Sequence, residues 1–198
     1  GVNAEDVTKE MRRKAKVINF GILYGMGVNA LRGNLGEGTP REEAQEFLNA
    51  YFNTFTRLAE YLEETKAYAR KFGYTETLFG RRRHFPGMQS TAPFIRAAAE
   101  RMAINAPVQG TAADVMRVAM NEIYAYLKQA GKLDDVRMLL QVHDELVFEI
   151  KTEKVETELP KLKALMEGVL RNSETYGVPL TAESKVGPNW GELEEVGK

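Results

Sequence analysis

The sequence predicts an α+β fold in which helices outnumber strands. Apolar residues recur at helical spacing through residues 40–72 and again from 93 to 129. Two short apolar runs within residues 137–150 flank the polar centre His143-Asp144-Glu145, which is the pattern of an antiparallel hairpin. At 198 residues, the chain can bury a substantial core and form one domain or two.

Composition narrows the class of protein. Hydrophobic residues are 43% of the chain and charged residues 28%, as in globular proteins. Because there is no cysteine and there are only two histidines, we expect neither disulfides nor a structural zinc site, and we predict a cytoplasmic protein. No apolar run is long enough to span a bilayer, so we expect no membrane partner. The chain begins with glycine instead of methionine, which favours a fragment of a longer polypeptide.

Charge is distributed unevenly along the chain. Residues 1–110 carry 16 Lys and Arg against 12 Asp and Glu, whereas residues 111–198 carry 11 against 16. The resulting net charges, +4 and −5, would suit one part that faces phosphate and another that holds metal ions. A chance fluctuation of surface charge would give the same numbers.

The first helix is predicted over residues 9–24. Thr8 is a suitable N-cap, and Gly25 can end the helix in a left-handed turn. Gly21 lies inside the helix at a cost of about 1 kcal/mol relative to alanine, which suggests the close approach of a ligand or a bend there. Residues 26–38 predict a short helix and a loop.

A stripe of four residues follows one side of this helix. Arg12, Lys16, Phe20 and Tyr24 recur every fourth residue over about 18 Å, with the cations first and the aromatics second. A nucleoside triphosphate, with an anionic end and a flat apolar end, would fit such a stripe. The alternative is an amphipathic helix whose aromatics belong to the core. The other apolar residues are expected to dock the helix: Ala15, Val17, Ile18, Ile22 and Leu23.

A single helix is predicted from residue 40 to residue 72. Thr39 is expected to cap it, with a proline in the first turn and Glu42 closing a capping box. Gly73 ends the helix, and the alternation of residues 74–78 predicts a short strand.

Polar and basic residues follow in two segments. The loop 80–86 contains Arg81 and Arg82 in a run of three arginines, which is usually only a solvated charge run. The helical region 93–129 is expected to break at Pro107. Around that break lie Arg101, Asn105 and Gln109, for which a capped helix with polar contacts between helices is the alternative explanation.

The hairpin presents its polar residues at the turn. Asp144 and Glu145 could offer oxygen ligands to Mg²⁺, although solvated turns are commonly acidic without binding a metal. Beyond the hairpin we predict a helix over residues 154–172 and a strand near 180–186. Trp190 is expected to pack as a plug.

Four segments carry a resemblance to a known family: RRKAKVINFGILYG, GYTETLFGRRR, RMAINAPVQGTAAD and QVHDELVFE. Together they resemble family A DNA polymerases, the bacterial DNA polymerase I group. The resemblance implies part of a right-hand polymerase, with mostly helical fingers over residues 1–90 and the C-terminal part of the palm, with its antiparallel sheet, over residues 91–198. It also implies DNA-templated addition of deoxynucleotides to a primer 3′-hydroxyl in replication or repair.

The resemblance further implies a role for each site residue. Arg12 and Lys16 would hold the triphosphate of the incoming deoxynucleotide, Phe20 would pack on its sugar, and Tyr24 would lie by the templating base. Asp144, with Glu145 as a second candidate, would bind Mg²⁺ in a site of two ions. Contacts to primer-template DNA would come from Arg81, Arg82, Arg101, Asn105, Gln109, Gln141 and His143.

One element of the family pattern is missing. The other palm carboxylate of the family lies in a segment like DYSQIELR, and this sequence has no such segment. We therefore expect the remainder of a polymerase chain, with the upstream palm and thumb, as a partner, and no activity from these residues alone. Two alternatives stay open. The first is a single-subunit RNA polymerase, which would share the Arg, Lys and Tyr-Gly positions but not Phe20 or the PVQG segment. The second is a non-catalytic module that binds DNA or nucleotide.

Overall fold

The computed structural model describes residues 2–36, 38–171 and 174–196. The chain divides by packing into two units, Gly1–Gly110 and Thr111–Lys198, and one long helix contributes residues to both. The predicted boundary between fingers and palm after residue 90 concerns functional subdomains and stays a prediction. Helices with antiparallel hairpins make up the structure, so the predicted α+β class is confirmed.

The first unit is mostly helical. Its small core comes from α4, α5 and the segment between β2 and α5, and it is built from Ala69, Phe85, Met88, Ala99, Ala103 and Ala106. The elements, after a 3₁₀ turn at Ala4–Asp6, are α1 (Lys9–Leu23), α2 (Val28–Leu35), α3 (Arg41–Thr54), α4 (Thr56–Phe72), β1 (Tyr74–Glu76), β2 (Arg82–His84), a 3₁₀ turn at Pro86–Gln89 and α5 (Pro93–Gln129).

The predicted helix from 40 to 72 is corrected to two helices. α3 ends and α4 begins on either side of Phe55, whose φ of −107° and ψ of 61° are not helical. The hydroxyl of Thr54 donates to the Ala50 carbonyl at 2.9 Å, a contact that competes with regular helical hydrogen bonding. Because both helices keep the same apolar stripe, periodicity does not reveal a break of one residue.

The start of α3 also differs from the prediction. Pro40 is the N-cap residue, and no side chain caps the helix, so the capping box from Thr39 to Glu42 is wrong. Proline fixes φ near −65° and lacks an N–H, so it can stand at the helix start without a capping hydroxyl. Gly73 ends α4 in the left-handed region, with φ +77°, as predicted.

The predicted arginine loop 80–86 contains a strand. Arg82–His84 form β2, which pairs antiparallel with β1 so that Thr75 lies opposite Arg83. The strand predicted over residues 74–78 ends earlier, at Glu76. The hydroxyl of Thr77 accepts the backbone N–H of Arg81 at 3.1 Å and fixes the turn that follows β1.

Pro107 does not interrupt α5, contrary to the prediction. The proline removes one N–H donor, which in a regular helix would bond to the carbonyl of Ala103. Ala103 is fully buried and Ala106 is 7% exposed. These small side chains pack in the turn that precedes the proline, and the helix continues beyond it to Gln129.

The second unit packs the end of α5 against a hairpin and a helix. Ile123, Leu127, Val136 and Leu162 form its core. Besides the second part of α5, the elements are β3 (Val136–Val142), β4 (Glu145–Ile150), a 3₁₀ turn at Thr152–Lys154, α6 (Val155–Glu167), β5 (Ser184–Val186) and β6 (Glu194–Val196). β3 pairs antiparallel with β4, as predicted, and β5 pairs antiparallel with β6.

The C-terminal segment departs from the prediction in three respects. α6 ends at Glu167, before the predicted end at residue 172, which itself lies outside the described residues. The predicted strand near 180–186 is limited to Ser184–Val186 and gains β6 as a partner. Trp190 is 53% exposed, so its prediction as a packed plug is wrong.

None of the helices in the described part of the chain has the length and apolar character needed to cross a bilayer.

A buried carboxylate links α5, α6 and the turn before β3. Glu158 is 2% exposed, and its oxygens accept hydrogen bonds from Lys132 at 2.6 Å, Tyr126 at 2.7 Å and Lys161 at 3.1 Å. Burial alone would raise the pKa of Glu158, but these hydrogen bonds outweigh it and lower the pKa to about 2. The hydrogen bond to Glu158 is also the main reason that the pKa of Lys132 lies above its usual range.

Acid should therefore weaken the second unit through Glu158. Because its folded-state pKa is below the ordinary value of 4.5, its stabilisation is fully present above that pH and is lost as the pH falls towards 2. At neutral pH, Glu158→Gln should lower the free energy of unfolding by about 3 kcal/mol, since Lys132 loses its buried partner. In urea unfolding, the exposed control Glu156→Gln should match the parent chain. A Glu158→Gln penalty that does not shrink between pH 4.5 and 2 would contradict this assignment.

Candidate functional site

The stripe predicted on α1 is present on an exposed face of the helix. Arg12 and Lys16 are exposed, and Phe20 and Tyr24 are 51% and 45% exposed. The two rings are stacked, with centroids 6.3 Å apart and an angle of 23° between their planes. The alternative in which these aromatics belong to the core is therefore wrong for the described chain. The surface is chemically suited to an anionic group beside a flat ring.

The two cations of the stripe are available for a ligand. Lys14, which precedes Lys16 by two residues, is paired with Glu10 at 3.3 Å. Among the residues that the structure describes, neither Arg12 nor Lys16 has an ion-pair partner. Their positive charges are thus not neutralised locally.

The docking face of α1 is smaller than predicted. Of the five apolar residues expected to anchor the helix, only Ile22 is buried, at 1% exposure, while Ala15 and Val17 are exposed. The hydroxyl of Tyr51 in α3 donates a hydrogen bond to the side-chain carbonyl of Asn19. Anchoring is therefore concentrated in the last turns of α1, next to the aromatic pair, and the cationic end is surrounded by solvent.

The start of α1 follows the predicted cap. The Thr8 hydroxyl accepts the backbone N–H of Met11 at 3.1 Å. One otherwise unpaired donor of the first turn is thus satisfied.

The end of α1 is a hydrogen-bonded turn around Gly25. The N–H of Gly25 donates to the Ile22 carbonyl at 3.0 Å, and the N–H of Met26 donates to the Gly21 carbonyl at 2.8 Å. This is the Schellman arrangement, with Gly25 at φ +78°. A Cβ on Gly21 would lie 2.1 Å from the Cε atom of Met26, so the helical glycine makes room for that side chain.

Gly25 also brings α1 against α5. A Cβ at this position would lie 2.8 Å from Cγ of Arg101 and 3.3 Å from Cδ1 of Ile104. Tyr24 is thereby held beside the segment of α5 that carries the predicted duplex contacts. Sequence reasoning identified both elements but not this approach, because nothing in the spacing of two separate motifs reports which side chains meet.

The polar residues of α5 lie on one face. Arg101, Asn105 and Gln109 are spaced by four residues; Arg101 and Gln109 are exposed and Asn105 is half-buried. The amide of Asn105 donates to the Arg101 carbonyl at 2.9 Å, within the same helix. The amide of Asn105 therefore makes its hydrogen bond within α5, and not to another helix as the alternative explanation requires. Arg101 and Gln109 present hydrogen-bond donors outward.

The arginines of the β1–β2 hairpin have different surroundings. Arg81 donates to the Gly110 carbonyl at 3.1 Å, and a Cβ on Gly110 would lie 2.6 Å from Cγ2 of Thr77. Arg82 is paired with Glu76 at 2.6 Å and stacks over Tyr74, with 4.5 Å from Cζ to the ring centroid. The hairpin therefore packs on α5 through Gly110. A glycine within a predicted helix was the available sequence signal for this contact.

The second unit presents its polar group on the β3–β4 turn. Val142 pairs with Glu145, so the turn consists of His143 and Asp144. His143 has φ +54°, an uncommon conformation for a residue other than glycine. Gln141 donates to the His143 carbonyl at 3.1 Å. The side chains of the turn and of both flanking polar residues are exposed, including the carboxylate of Asp144.

The donor set on this turn fits part of a Mg²⁺ site. Carboxylate oxygens are suitable ligands, and Asp144 and Glu145 are adjacent and exposed. Within residues 2–36, 38–171 and 174–196, no group of three His, Cys, Asp or Glu side chains could hold a metal ion. Further oxygens would have to come from water, from substrate phosphates or from another carboxylate.

The predicted site residues are distributed between the two units, with residues 12 to 109 in the first and 141 to 145 in the second.

Comparisons with known proteins identify one family. The family model described as DNA polymerase family A matches residues 1–192. DNA polymerase I of Rhizobium leguminosarum is 45% identical over 192 residues, which cover 97% of this chain and 19% of that protein. The thermostable DNA polymerase I of Thermus aquaticus is 46% identical over 190 residues, which cover 96% of this chain and 22% of the relative. The chain therefore spans about a fifth of the length of these curated relatives.

A solved structure shares the fold. The polymerase domain of Pol1 from M. smegmatis, in complex with a DNA primer-template and dNTP, superposes with a TM-score of 0.82 at 38% sequence identity. The match covers 90% of this chain and 30% of that one.

Proposed function

The chain belongs to DNA polymerase family A, and we propose that it supplies the nucleotide-binding surface and part of the catalytic centre of a DNA-templated DNA polymerase. The observation that carries the proposal is the exposed stripe on α1, where two cations without local ion pairs precede two stacked aromatic rings. Family membership favours DNA synthesis over the RNA polymerase alternative. With DNA as substrate and no cysteine in the chain, we also propose a cytoplasmic location.

In the proposed reaction, the primer 3′-hydroxyl attacks the α-phosphate of a deoxynucleoside triphosphate. The new bond joins the primer oxygen to phosphorus, and the bond to the β-phosphate breaks to release pyrophosphate. Arg12 and Lys16 would bind the triphosphate and offset the negative charge that develops on the leaving group. Because both belong to one helix, their spacing is fixed before the substrate arrives.

The aromatic pair would orient the nucleoside. Phe20 would pack on the sugar and Tyr24 would lie beside the templating base, with its position fixed by the contact of Gly25 with Arg101. Arg101, Asn105 and Gln109 would face the minor groove of the primer-template. That groove offers acceptors common to all correct base pairs, so donors can test pairing geometry without reading sequence.

The remaining residues would complete the contacts to DNA and metal. Gln141 and His143 would lie by the primer terminus, and Arg81 and Arg82 would contact backbone phosphates. Asp144, with Glu145 as a second donor, would hold Mg²⁺ in a two-ion site. Bound there, the metal would supply Lewis-acid stabilisation of the phosphoryl oxygens and a lowered pKa of the attacking hydroxyl. The upstream palm and thumb of a polymerase would supply the rest of the centre.

A second candidate is a DNA- or nucleotide-binding module without catalysis. The observation in its favour is the lack, among the described residues, of a third metal-ligating side chain beside Asp144 and Glu145. Primer extension by a chimeric polymerase distinguishes the two candidates. We expect a chimera in which this chain replaces the matching segment of the Thermus aquaticus relative to extend a primer. Binding of DNA and nucleotide without extension would favour the module instead.

Sugar selection tests the proposed position of Phe20. The side chain of phenylalanine cannot form a hydrogen bond. Correct positioning of the sugar must therefore depend on contacts of the substrate's own 3′-hydroxyl, and a dideoxynucleotide has no 3′-hydroxyl. Phe20→Tyr supplies a hydroxyl at this place. In the chimera, incorporation of dideoxynucleotides relative to deoxynucleotides should rise by roughly 10- to 100-fold. The measurement is the ratio of kcat/KM values from single-nucleotide extension.

The matched control is Phe47→Tyr, which adds a hydroxyl to an exposed phenylalanine of α3. It should leave the ratio unchanged. A Phe20→Tyr ratio equal to that of the parent chimera would remove Phe20 from the sugar site.

A further inference from the structure

The end of α4 and strand β1 carry an aromatic patch, which consists of the exposed Tyr68 and Phe72 and the half-buried Tyr74. The ring centroids of Tyr68 and Phe72 are 4.5 Å apart, and Tyr74 lies 5.8 Å from the first and 6.2 Å from the second. None of the three has a role in the proposed polymerase chemistry. The patch therefore calls for a separate explanation.

The patch is not a core cluster. Tyr68 is 37% exposed and Phe72 is 47% exposed, whereas Ala69, between them on α4, is fully buried in the core of the first unit. Tyr68 and Phe72 are one helical turn apart, so they lie side by side on the outer surface of α4. Two large rings thus keep part of their surface in contact with water, beside a core cluster in which four of six residues are alanine.

Positive charge surrounds the rings. Residues 66–84 contain six Lys and Arg and a single acidic residue, Glu76. Lys71 lies 5.0 Å from the centroid of Phe72, and Arg82 lies 4.5 Å from that of Tyr74. Three of these cations are paired with carboxylates, Lys66 with Glu63, Arg70 with Glu100 and Arg82 with Glu76, so the stretch together with these partners has a formal charge of +3. This surface is complementary to a ligand with exposed ring faces and a polyanionic backbone.

We propose that the aromatic patch is a stacking platform for the unpaired bases of single-stranded DNA. An unpaired strand offers base faces to Tyr68 and Phe72, and its phosphates match the surrounding cations. A duplex hides its base faces within the stack, and an acidic peptide would match only the charge. The inference rests on the proposed function in one respect, since a template strand is unpaired ahead of synthesis.

Oligonucleotide binding to the 198-residue chain tests the proposal without catalysis. The probe is a fluorescein-labelled 12-mer of thymidylate, and the readout is fluorescence anisotropy at fixed salt. The variant Tyr68→Ala with Phe72→Ala should weaken binding by roughly tenfold or more for each ring. The control Phe47→Ala removes a 40% exposed ring from α3 and should bind as the parent chain does.

A second probe separates stacking from charge. A 12-mer with abasic sugars keeps the phosphates but has no bases, so the parent chain and the double variant should bind it equally. Equal affinity of both proteins for the thymidylate 12-mer would overturn the proposal. Equal losses on both probes would also overturn it, because the rings would then act through packing. Competition by a glutamate 12-mer as effective as that by thymidylate would assign the surface to anions in general.

A milder variant serves as a control for effects on folding. Tyr68→Leu with Phe72→Leu keeps apolar volume but removes the ring faces, and its circular dichroism and melting temperature should match those of the parent chain. It should lose thymidylate binding as the alanine variant does, and normal binding would contradict the proposal. The oligonucleotide assay contains no nucleotide and no metal, so its outcome does not depend on the nucleotide site. Failure of the patch therefore does not imply failure of the nucleotide site, which nucleotide use by the chimera tests separately.

Discussion

Asp144→Asn should abolish most primer extension by the chimera, with kcat lowered by about 10³-fold or more. Asparagine keeps the size of the side chain but loses the negative charge that would hold a divalent cation at the site of phosphoryl transfer. Charge stabilisation of that kind contributes several kcal/mol to the transition state, and each 1.36 kcal/mol corresponds to about a factor of ten. The measurement is pre-steady-state incorporation of one nucleotide at saturating substrate.

The hairpin provides a control for the Asp144 variant. Glu149 lies on β4 with a 65% exposed side chain, 3.6 Å from Arg137. Glu149→Gln removes one negative charge from the same hairpin and should leave kcat within about twofold, since solvated charges on the surface contribute little. Melting temperatures of both variants should match, because neither side chain is buried. Normal extension by Asp144→Asn would remove this residue from the catalytic centre.

Lys16→Ala should lower kcat/KM for deoxynucleotides by about 100-fold or more. The lysine has no ion pair among the described residues, so the change removes a charge-assisted contact to phosphate without leaving a protein group unpaired. The affinity of the chimera for primer-template should change little. Single-turnover kinetics over a range of nucleotide concentrations, with DNA binding measured separately, tests both statements.

Lys14 is the matched control for Lys16. It lies two residues away on the same helix and is already paired with Glu10 at 3.3 Å. Lys14→Ala should leave kcat/KM nearly unchanged. If Lys16→Ala weakened DNA binding and nucleotide use equally, Lys16 would be a general DNA contact instead of a triphosphate ligand.

Much of the fold follows from local signals. Thr8 and Gly25 mark the ends of α1, and Gly73 marks the end of α4, because capping and left-handed turns depend on the residue types at a few adjacent positions. The β3–β4 hairpin follows from its apolar runs around a polar turn. These features were predictable because their causes lie within a few residues of one another.

The errors lie at positions where the residue type alone does not determine the structure. Pro107 predicts a break, yet α5 continues through it, and the buried Ala103 and Ala106 pack in the turn that precedes the proline. Trp190 predicts a packed side chain, but 53% of it is exposed. The break at Phe55 is confined to one residue with non-helical backbone angles, which does not change the apolar pattern.

The sequence was sufficient to predict which residues form the candidate site, but not how these residues are arranged in space. The spacing of Arg12, Lys16, Phe20 and Tyr24 places them on one helical face, and the structure has all four exposed there. Their link to α5 depends on Gly25 meeting Arg101, a contact between residues far apart in the chain. The aromatic patch was missed for a different reason: Tyr68, Phe72 and Tyr74 are close in sequence, but their spacing does not report how much of each ring is exposed.

Primer extension by the isolated 198 residues, compared with extension by the chimera, tests the central claim most directly. Two magnesium ions need carboxylates that converge from different segments, whereas Asp144 and Glu145 are adjacent residues of one hairpin. We therefore expect no extension by the isolated chain with magnesium and all four deoxynucleotides, and extension by the chimera that depends on Asp144. Robust extension by the isolated chain, or none by a folded chimera that binds DNA, would contradict the account.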